Sequence, residues 1–289
     1  MGLAEALCLV SATSFGCSGV ECGRVLREDR GAPSGWFAVV SADLPGPVNT
    51  NSTLIGAAAR CFLRLGAVRV VIGEGPGHQR DTELVVQAAG LKPHLAERQI
   101  EFVDLNRDEL RKVKLKANYS GLGELWLPSA ILESDFVVSM PKVKTHHWAG
   151  ATLSLKNMFG IVPGMKYGWP KNVLHWHGIH ESILDICATV PIHFVIADGI
   201  VAMEGNGPLQ GSPRELHRIV LADDPVAADA TCARLMGLDP LKVKHIAAAQ
   251  VFLGNLDPHR INLLAGNVAP PARPFAVLPQ FHDLLDRSA

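Results

Sequence analysis

Between Met140 and His180 the chain carries five lysines, five histidines and no aspartate or glutamate; Asp135 precedes the run and Glu181 follows it. Cationic groups concentrated in this way suit a phosphate or carboxylate ligand. In "SMPKVKTHHWAG" the alternation of a strand places Lys142 and Lys144 on one side and Val143 on the other. His146 and His147 are adjacent, so an extended backbone points them apart and leaves at most one facing a site. Lys156 lies between apolar neighbours in "LSLKNMF", where an ammonium needs a partner anion, a lowered pKa or a covalent bond. His175, His177 and His180 are candidate metal ligands, because on one helix His177 and His180 are neighbours three residues apart.

Two other stretches supply complementary groups. "EGPGH" is glycine-rich without a following GK[ST], so Gly75 and Gly77 can present backbone amides to an anion and His78 can move a proton. Gly75, Gly77, Lys142, Lys144, Lys156 and Asn157 are therefore the cofactor-binding candidates. In "VIADGIVAMEGNGPLQG", Asp198 at a strand end and Glu204 in a glycine-rich loop could serve as general base, metal ligand or counter-ion to the lysines. His78, His146, Lys156, Asp198 and Glu204 are the catalytic candidates. Asp223 and Asp224 read as helix caps, whereas Asp229 sits inside a small, apolar helix and has no such explanation.

These residues need elements to position them. A chain of 289 residues with 48% hydrophobic content can bury a full core. Its net charge of -1 argues against a generally basic nucleic-acid binder. The six cysteines form no CxxC pair, so a self-contained iron–sulfur cluster motif is absent, and no apolar run is long enough for a membrane span. The first residues lack the basic region of a secretory signal, and a cytoplasmic protein with reduced thiols is expected. "STLIGAAARCFLRLG" reads as a helix, "AVRVVIGEGPGH" as a strand delivering a loop, "TELVVQAAG" as a helix and "IEFVDLN" as a strand. "AILESDFVVSMPKVKTHH" reads as helix end, strand and loop, "HFVIADGIVAMEGNGP" as strand and loop, and "DDPVAADATCARLMGL" as a helix.

Strands alternating with helices predict an α/β layered, Rossmann-like domain, with a largely parallel sheet and helices on both faces. Ligand groups gather at the carboxyl ends of such strands, so the loops at 73–78, 140–150 and 198–207 are expected to converge. The expected organisation is a divergent N-terminal segment over 1–46, one α/β domain over 47–265 and an irregular, proline-bearing tail over 266–289.

"DFVVSMPKVKTHHWAGATLSLKNMFGIVPG", the "EGPGH" loop, "ADGIVAMEGNGPLQG" and "DDPVAADATCARLMGLDP" together resemble domain-of-unknown-function family 362. Some members of that family carry ferredoxin-type clusters, whose cysteines this chain lacks. Where the family's first strand ends in a lysine-proline-asparagine loop, this chain has "FAVVSADLPGPVNTN", without the lysine.

A more distant resemblance links His146, Ala149, Gly150 and Lys156, in the pattern H-x-x-A-G-x5-K, to the lactate racemase-type nickel-pincer enzymes. "GPGH" is similar to a second motif of theirs. That resemblance implies a covalent cofactor anchor at Lys156, proton-transfer histidines at His78 and His146, and a nickel-ligating histidine among His175, His177 and His180. The chain departs from it at Leu153, Ser154 and Leu155, where those enzymes have a glycine pair before the lysine.

The leading expectation is an enzyme that binds a small anionic substrate, or a phosphate-bearing or metal cofactor such as a nickel-pincer-like nucleotide, in a Lys/His-rich crevice. A racemase, isomerase or oxidoreductase-like reaction is suggested by the resemblance alone. A non-catalytic metal or anion carrier needs the same charges without turnover. A single-stranded nucleic-acid module, stacking bases on Trp148, Tyr167, Trp169 and Trp176, ranks last.

Overall fold

The computed structural model describes residues 7–12 and 36–40 along their backbone, and 47–286 apart from 78, 79, 97, 170 and 270. Its centre is a ten-stranded sheet built from β1 (Leu7–Ala12), β2 (Trp36–Val40), β3 (Val70–Glu74), β4 (Ile100–Asp104), β7 (Phe136–Met140), β8 (Lys142–His146), β9 (Gly150–Thr152), β10 (Phe194–Glu204), β11 (Ser212–Ala222) and β12 (Ile261–Ala265). The main path runs β12-β1-β11-β10-β7-β2-β3-β4, with β8 on β10 and β9 on β8. Pairings are parallel except β1 with β12, β10 with β11 and β8 with β9. A separate hairpin joins β5 (Leu110–Lys114) to β6 (Glu124–Pro128).

Alternation along the buried strands sends side chains to two cores. Val70, Ile72, Val138 and Met140 pack with Ile55, Ala59 and Phe62 of α1 (Ser52–Arg64) and Val86 of α2 (Thr82–Ala88). Val71, Val137, Val195 and Ala197 face the other way, toward Ile183 and Ile186 of α7 (Ile179–Thr189) and Ala227 and Ala230 of α8 (Pro225–Leu235). The α/β class with helices on both faces follows from that division. Asn51 and Asp224 cap α1 and α8 by accepting amide hydrogens, so the first cap is Asn51 and not the neighbouring Ser52.

Three differences from the expected elements bear on the site. β10 continues through Glu204 against antiparallel β11, so the stretch expected to loop out after Asp198 is strand. The residues before 47 supply two strands of the main sheet, with β2 between β3 and β7. The histidine run 175–180 is not one helix: α6 (Asn172–Trp176) ends, Gly178 adopts φ 98, and α7 begins. Among the described residues no helix is long and apolar enough to cross a membrane.

Candidate functional site

Pro141 ends β7, and β8 continues alongside β10 with Lys142 in register with Asp198. The ammonium and carboxylate meet at 2.6 Å with both groups buried. Asp198 also accepts the Asn51 amide at 2.7 Å and the Ile200 amide at 3.0 Å. These bonds satisfy a buried ion pair whose charges could not otherwise be tolerated. Lys144 is also buried and donates to the Val48 carbonyl at 3.0 Å. Burial brings its pKa down to about 8 against the opposing field of Glu74. The acids missing from the cationic run therefore arrive from other strands, Glu74 on β3 and Asp198 on β10.

The open part of the site is a cavity of about 250 Å³ beside these strands. Gly75 and Gly77, His146 to Trp148, and Pro208 and Leu209 all line it, so the first two expected loops meet there, while the third side comes from Pro208 and Leu209, just beyond the expected 198–207. Lys156, Phe159, Gly160, Trp169, Lys171 and His175 complete the wall. Gly75 is required by packing: a Cβ there would sit 2.9 Å from the Gly160 carbonyl oxygen. A second cavity of about 410 Å³ adjoins and shares His147, Trp148, Pro208 and Leu209.

Lys156 belongs to the short helix α4 (Ser154–Asn157), whose first amides, those of Ser154 and Leu155, donate to Asp229 at 2.7 and 3.0 Å. Burial raises the Asp229 pKa to about 8, against the pull of those two amides. The Lys156 amine lies 4.1 Å from the centre of the Phe159 ring, with no oxygen acceptor among the described residues. Burial, followed by the fields of Lys171 and Lys144, lowers its pKa to about 7. Lys171, held in the left-handed region at φ 70, donates to the carbonyls of Phe159 and Gly160 at 2.9 Å each. Burial takes its pKa to about 8 while Glu74 pulls it up.

The chain turns after His146, so the adjacent histidines do not diverge as an extended strand would make them. Their rings stack with centroids 4.9 Å apart, and both line the cavity. His146 Nδ1 accepts the amides of Trp148 and Ala149 at 3.0 and 3.1 Å. Burial, then the field of Lys156, holds its pKa well below the usual range. His147 Nδ1 lies 2.8 Å from the Gly207 carbonyl.

The three candidate metal histidines do not converge. His175 alone lines the cavity, with Nδ1 3.0 Å from the Lys171 carbonyl and its ring edge-on to Trp148 and Phe159. His177 Nδ1 meets the Ser120 carbonyl at 2.9 Å, and His180 Nδ1 meets buried His245 Nδ1 at 3.2 Å. The helix break at Gly178 is the reason, and no group of three metal-competent side chains forms among the described residues. His78 lies outside the described residues.

Other sequence candidates have structural partners. Asn157 donates to Ser139 Oγ at 3.2 Å, tying α4 to β7. Glu204 accepts from Arg273 at 2.7 Å and from the Ala276 amide at 3.0 Å, and its carboxylate is committed to the C-terminal segment. Lys142, Lys144, Asn157, Asp198 and Glu204 are absent from the cavity wall. Lys171, His147 and Phe159 are pocket residues that the sequence did not single out, and Trp148 was singled out only as a base-stacking platform. Only the lysine and histidine enrichment of the run pointed toward them.

The family described as "Domain of unknown function (DUF362)" matches residues 37–234. A curated thylakoid-associated protein of Synechocystis sp. is 28% identical over 159 residues, covering 52% of this chain and 48% of its own length. The chain thus spans about half of that relative. Among solved structures, a lactate racemase apoprotein from Thermoanaerobacterium thermosaccharolyticum aligns with a TM-score of 0.51 at 11% identity, over 82% of this chain and 58% of that one. At that identity the likeness is one of fold. A Thermotoga maritima protein aligns at a TM-score of 0.36 and 16% identity, over 66% of this chain and 51% of that one.

Proposed function

The chain belongs to the DUF362 family, and from that premise and the chemistry of its cavity we propose that it is an enzyme binding a small anionic substrate, with proton transfer beside the anionic group. One observation carries this reading. The Lys156 amine reaches the cavity wall over an aromatic ring, with cations nearby and no oxygen acceptor among the described residues. An ammonium in that setting is costly until an anion arrives, so anion binding and protonation of Lys156 reinforce one another. Gly75 and Gly77 bring backbone close to the same space, while Lys171 adds a second positive charge fixed by two carbonyls.

A nickel-pincer-type group is the cofactor implied by the sequence resemblance. The Lys156 amine and His175 share the cavity wall, as an anchor and a single ligand need. Such a group would supply a hydride-accepting carbon. The residues themselves would hold it, balance its charge and exclude water with Trp148, Phe159 and Trp169. A carrier without turnover would use the same lysine, and it is distinguished by binding without chemical change of the ligand.

The deciding experiment is calorimetric titration with oxalate, alongside metal analysis and an intact-chain mass spectrum of the purified protein. Lys156→Ala is expected to weaken oxalate binding at least tenfold, about 1.4 kcal/mol, and to leave thermal unfolding cooperative. Lys156→Arg keeps a charge without a titratable amine, so it should restore part of the anion affinity and none of a covalent adduct. Wild-type oxalate affinity in the alanine variant would overturn the reading.

A further inference from the structure

We infer that His147 is the proton-accepting group of this cavity and that His146, stacked beside it, is a fixed hydrogen-bond donor to an oxygen of the same ligand. The inference rests on the functional reading above and gives its proton transfer a direction. It comes from hydrogen-bond partners that force opposite tautomers on two neighbouring rings. A carbonyl oxygen only accepts, so His147 Nδ1, 2.8 Å from the Gly207 carbonyl, carries its hydrogen. The lone pair of the neutral ring is then on Nε2. The His147 main-chain amide donates to the same oxygen at 2.8 Å, which fixes the ring's origin as well as its orientation. Gly207 can approach this closely because it has no side chain: a Cβ there would lie 2.1 Å from the Thr145 carbonyl oxygen.

His146 is the mirror case. Amides only donate, so Nδ1, which receives both the Trp148 and Ala149 amides, has no hydrogen, and Nε2 is the N–H. Placing a proton on Nδ1 would break both bonds in a buried position. His146 is therefore unsuited to be the base, although its sequence motif suggested that role. His175 shares the tautomer of His147 through the Lys171 carbonyl. It is, however, wedged between the rings of Trp148 and Phe159, where burial disfavours its charged form.

The resulting step needs no external oxidant. A ligand C–H next to a carbonyl breaks, its proton passes to His147 Nε2, and the electron pair moves onto the carbonyl oxygen. That oxygen takes the His146 Nε2 hydrogen bond, and the Lys156 ammonium balances the added charge. Return of the proton from His147 reverses the sequence.

Two measurements test this on the full chain. In ring-15N spectra of histidine-labelled protein, assigned with His146→Gln and His147→Gln, His147 is expected as the Nδ1–H tautomer and His146 as the Nε2–H tautomer. Finding His147 protonated on Nε2, or both rings in one tautomer, overturns the inference. Calorimetry of oxalate binding in two buffers of different ionisation enthalpy then counts protons taken up. His147→Gln should lower that count and His146→Gln should not; equal counts in wild type and His147→Gln overturn the proton-accepting role. The glutamine amide can still donate to Gly207, so a purely structural His147 would leave the count unchanged. Loss of oxalate binding in wild type would defeat the functional reading, while the tautomer spectra still judge the histidines.

Discussion

The Lys156 amine is where ligand chemistry and fold stability meet, because its proton belongs to a pocket that disfavours charge. Its pKa is lowered to about 7 in the folded chain, while the unfolded chain keeps the ordinary lysine value. Between those values the unfolded chain holds the extra proton, so this residue makes folding more favourable as pH rises. A Lys156→Met variant lacks the group, so wild type should gain stability relative to it from about pH 7 to about pH 10. The gain is expected below the about 1.4 kcal/mol per pH unit of a fully enclosed group, because the amine is partly open to the cavity. Urea unfolding of both proteins across that range checks the sign, and parallel curves would refute it. Asp229, raised to about 8, works in the opposite direction but is common to both proteins and cancels. At this scale the sequence made Lys156 conspicuous because its neighbours in the chain are also its neighbours in space. It offered Asp198 as one possible counter-ion to the lysines but could not single out Lys142, 56 positions away, as its partner.

At the scale of elements, the pocket depends on a helix too short to be stable by itself. α4 spans four residues, and its amides end on a carboxylate supplied by α8. Asp229→Ala would leave the Ser154 and Leu155 amides buried without acceptors, at roughly 1–3 kcal/mol each. Asp229→Asn keeps one accepting oxygen and should cost less. Both variants should also weaken oxalate binding, since Lys156 follows directly on the displaced amides. Denaturant unfolding that shows an alanine cost within about 0.5 kcal/mol, the range of an ordinary surface change, would refute this support role. The sequence flagged Asp229 as unexplained inside an apolar helix, and the explanation lies on a different element. Periodicity similarly found the strands β3, β4, β7 and β10 and the helices α1, α2 and α8, yet ran past Gly178. His177 and His180, three residues apart, look like neighbours on one helix until a glycine at positive φ ends α6 before α7 begins.

For the whole molecule, the C-terminal segment acts as a clamp on the strand and turn that shape the pocket. Phe275 is 1% exposed, Glu204 binds Arg273 and the Ala276 amide, and the Gly205 amide donates to the Ala276 carbonyl at 2.7 Å. Gly150 approaches Leu284 so closely that a Cβ would meet its Cδ1 at 2.5 Å, and Gln280 donates to the His147 carbonyl at 3.4 Å. The proline in this stretch suggested an irregular path, but composition carries no information about what that path covers. These contacts make Glu204 an anchor of the segment. Although partial burial raises its pKa, the Ala276 amide and Arg273 outweigh that and hold it below the ordinary carboxylate range. Its contribution is thus present above the usual glutamate pKa and lost as pH falls through the lower folded value. Glu204→Gln should cost roughly 1–3 kcal/mol, the range for a weakened bond to a charged group, and should leave oxalate affinity within about twofold, under 0.5 kcal/mol. Phe275→Ala should cost about 3–5 kcal/mol and, by loosening the segment that holds Gln280 against His147, weaken oxalate binding as well. Unfolding and calorimetry on the two variants separate the roles: a Glu204→Gln protein of wild-type stability that fails to bind oxalate would return Glu204 to the chemistry and remove it from the clamp.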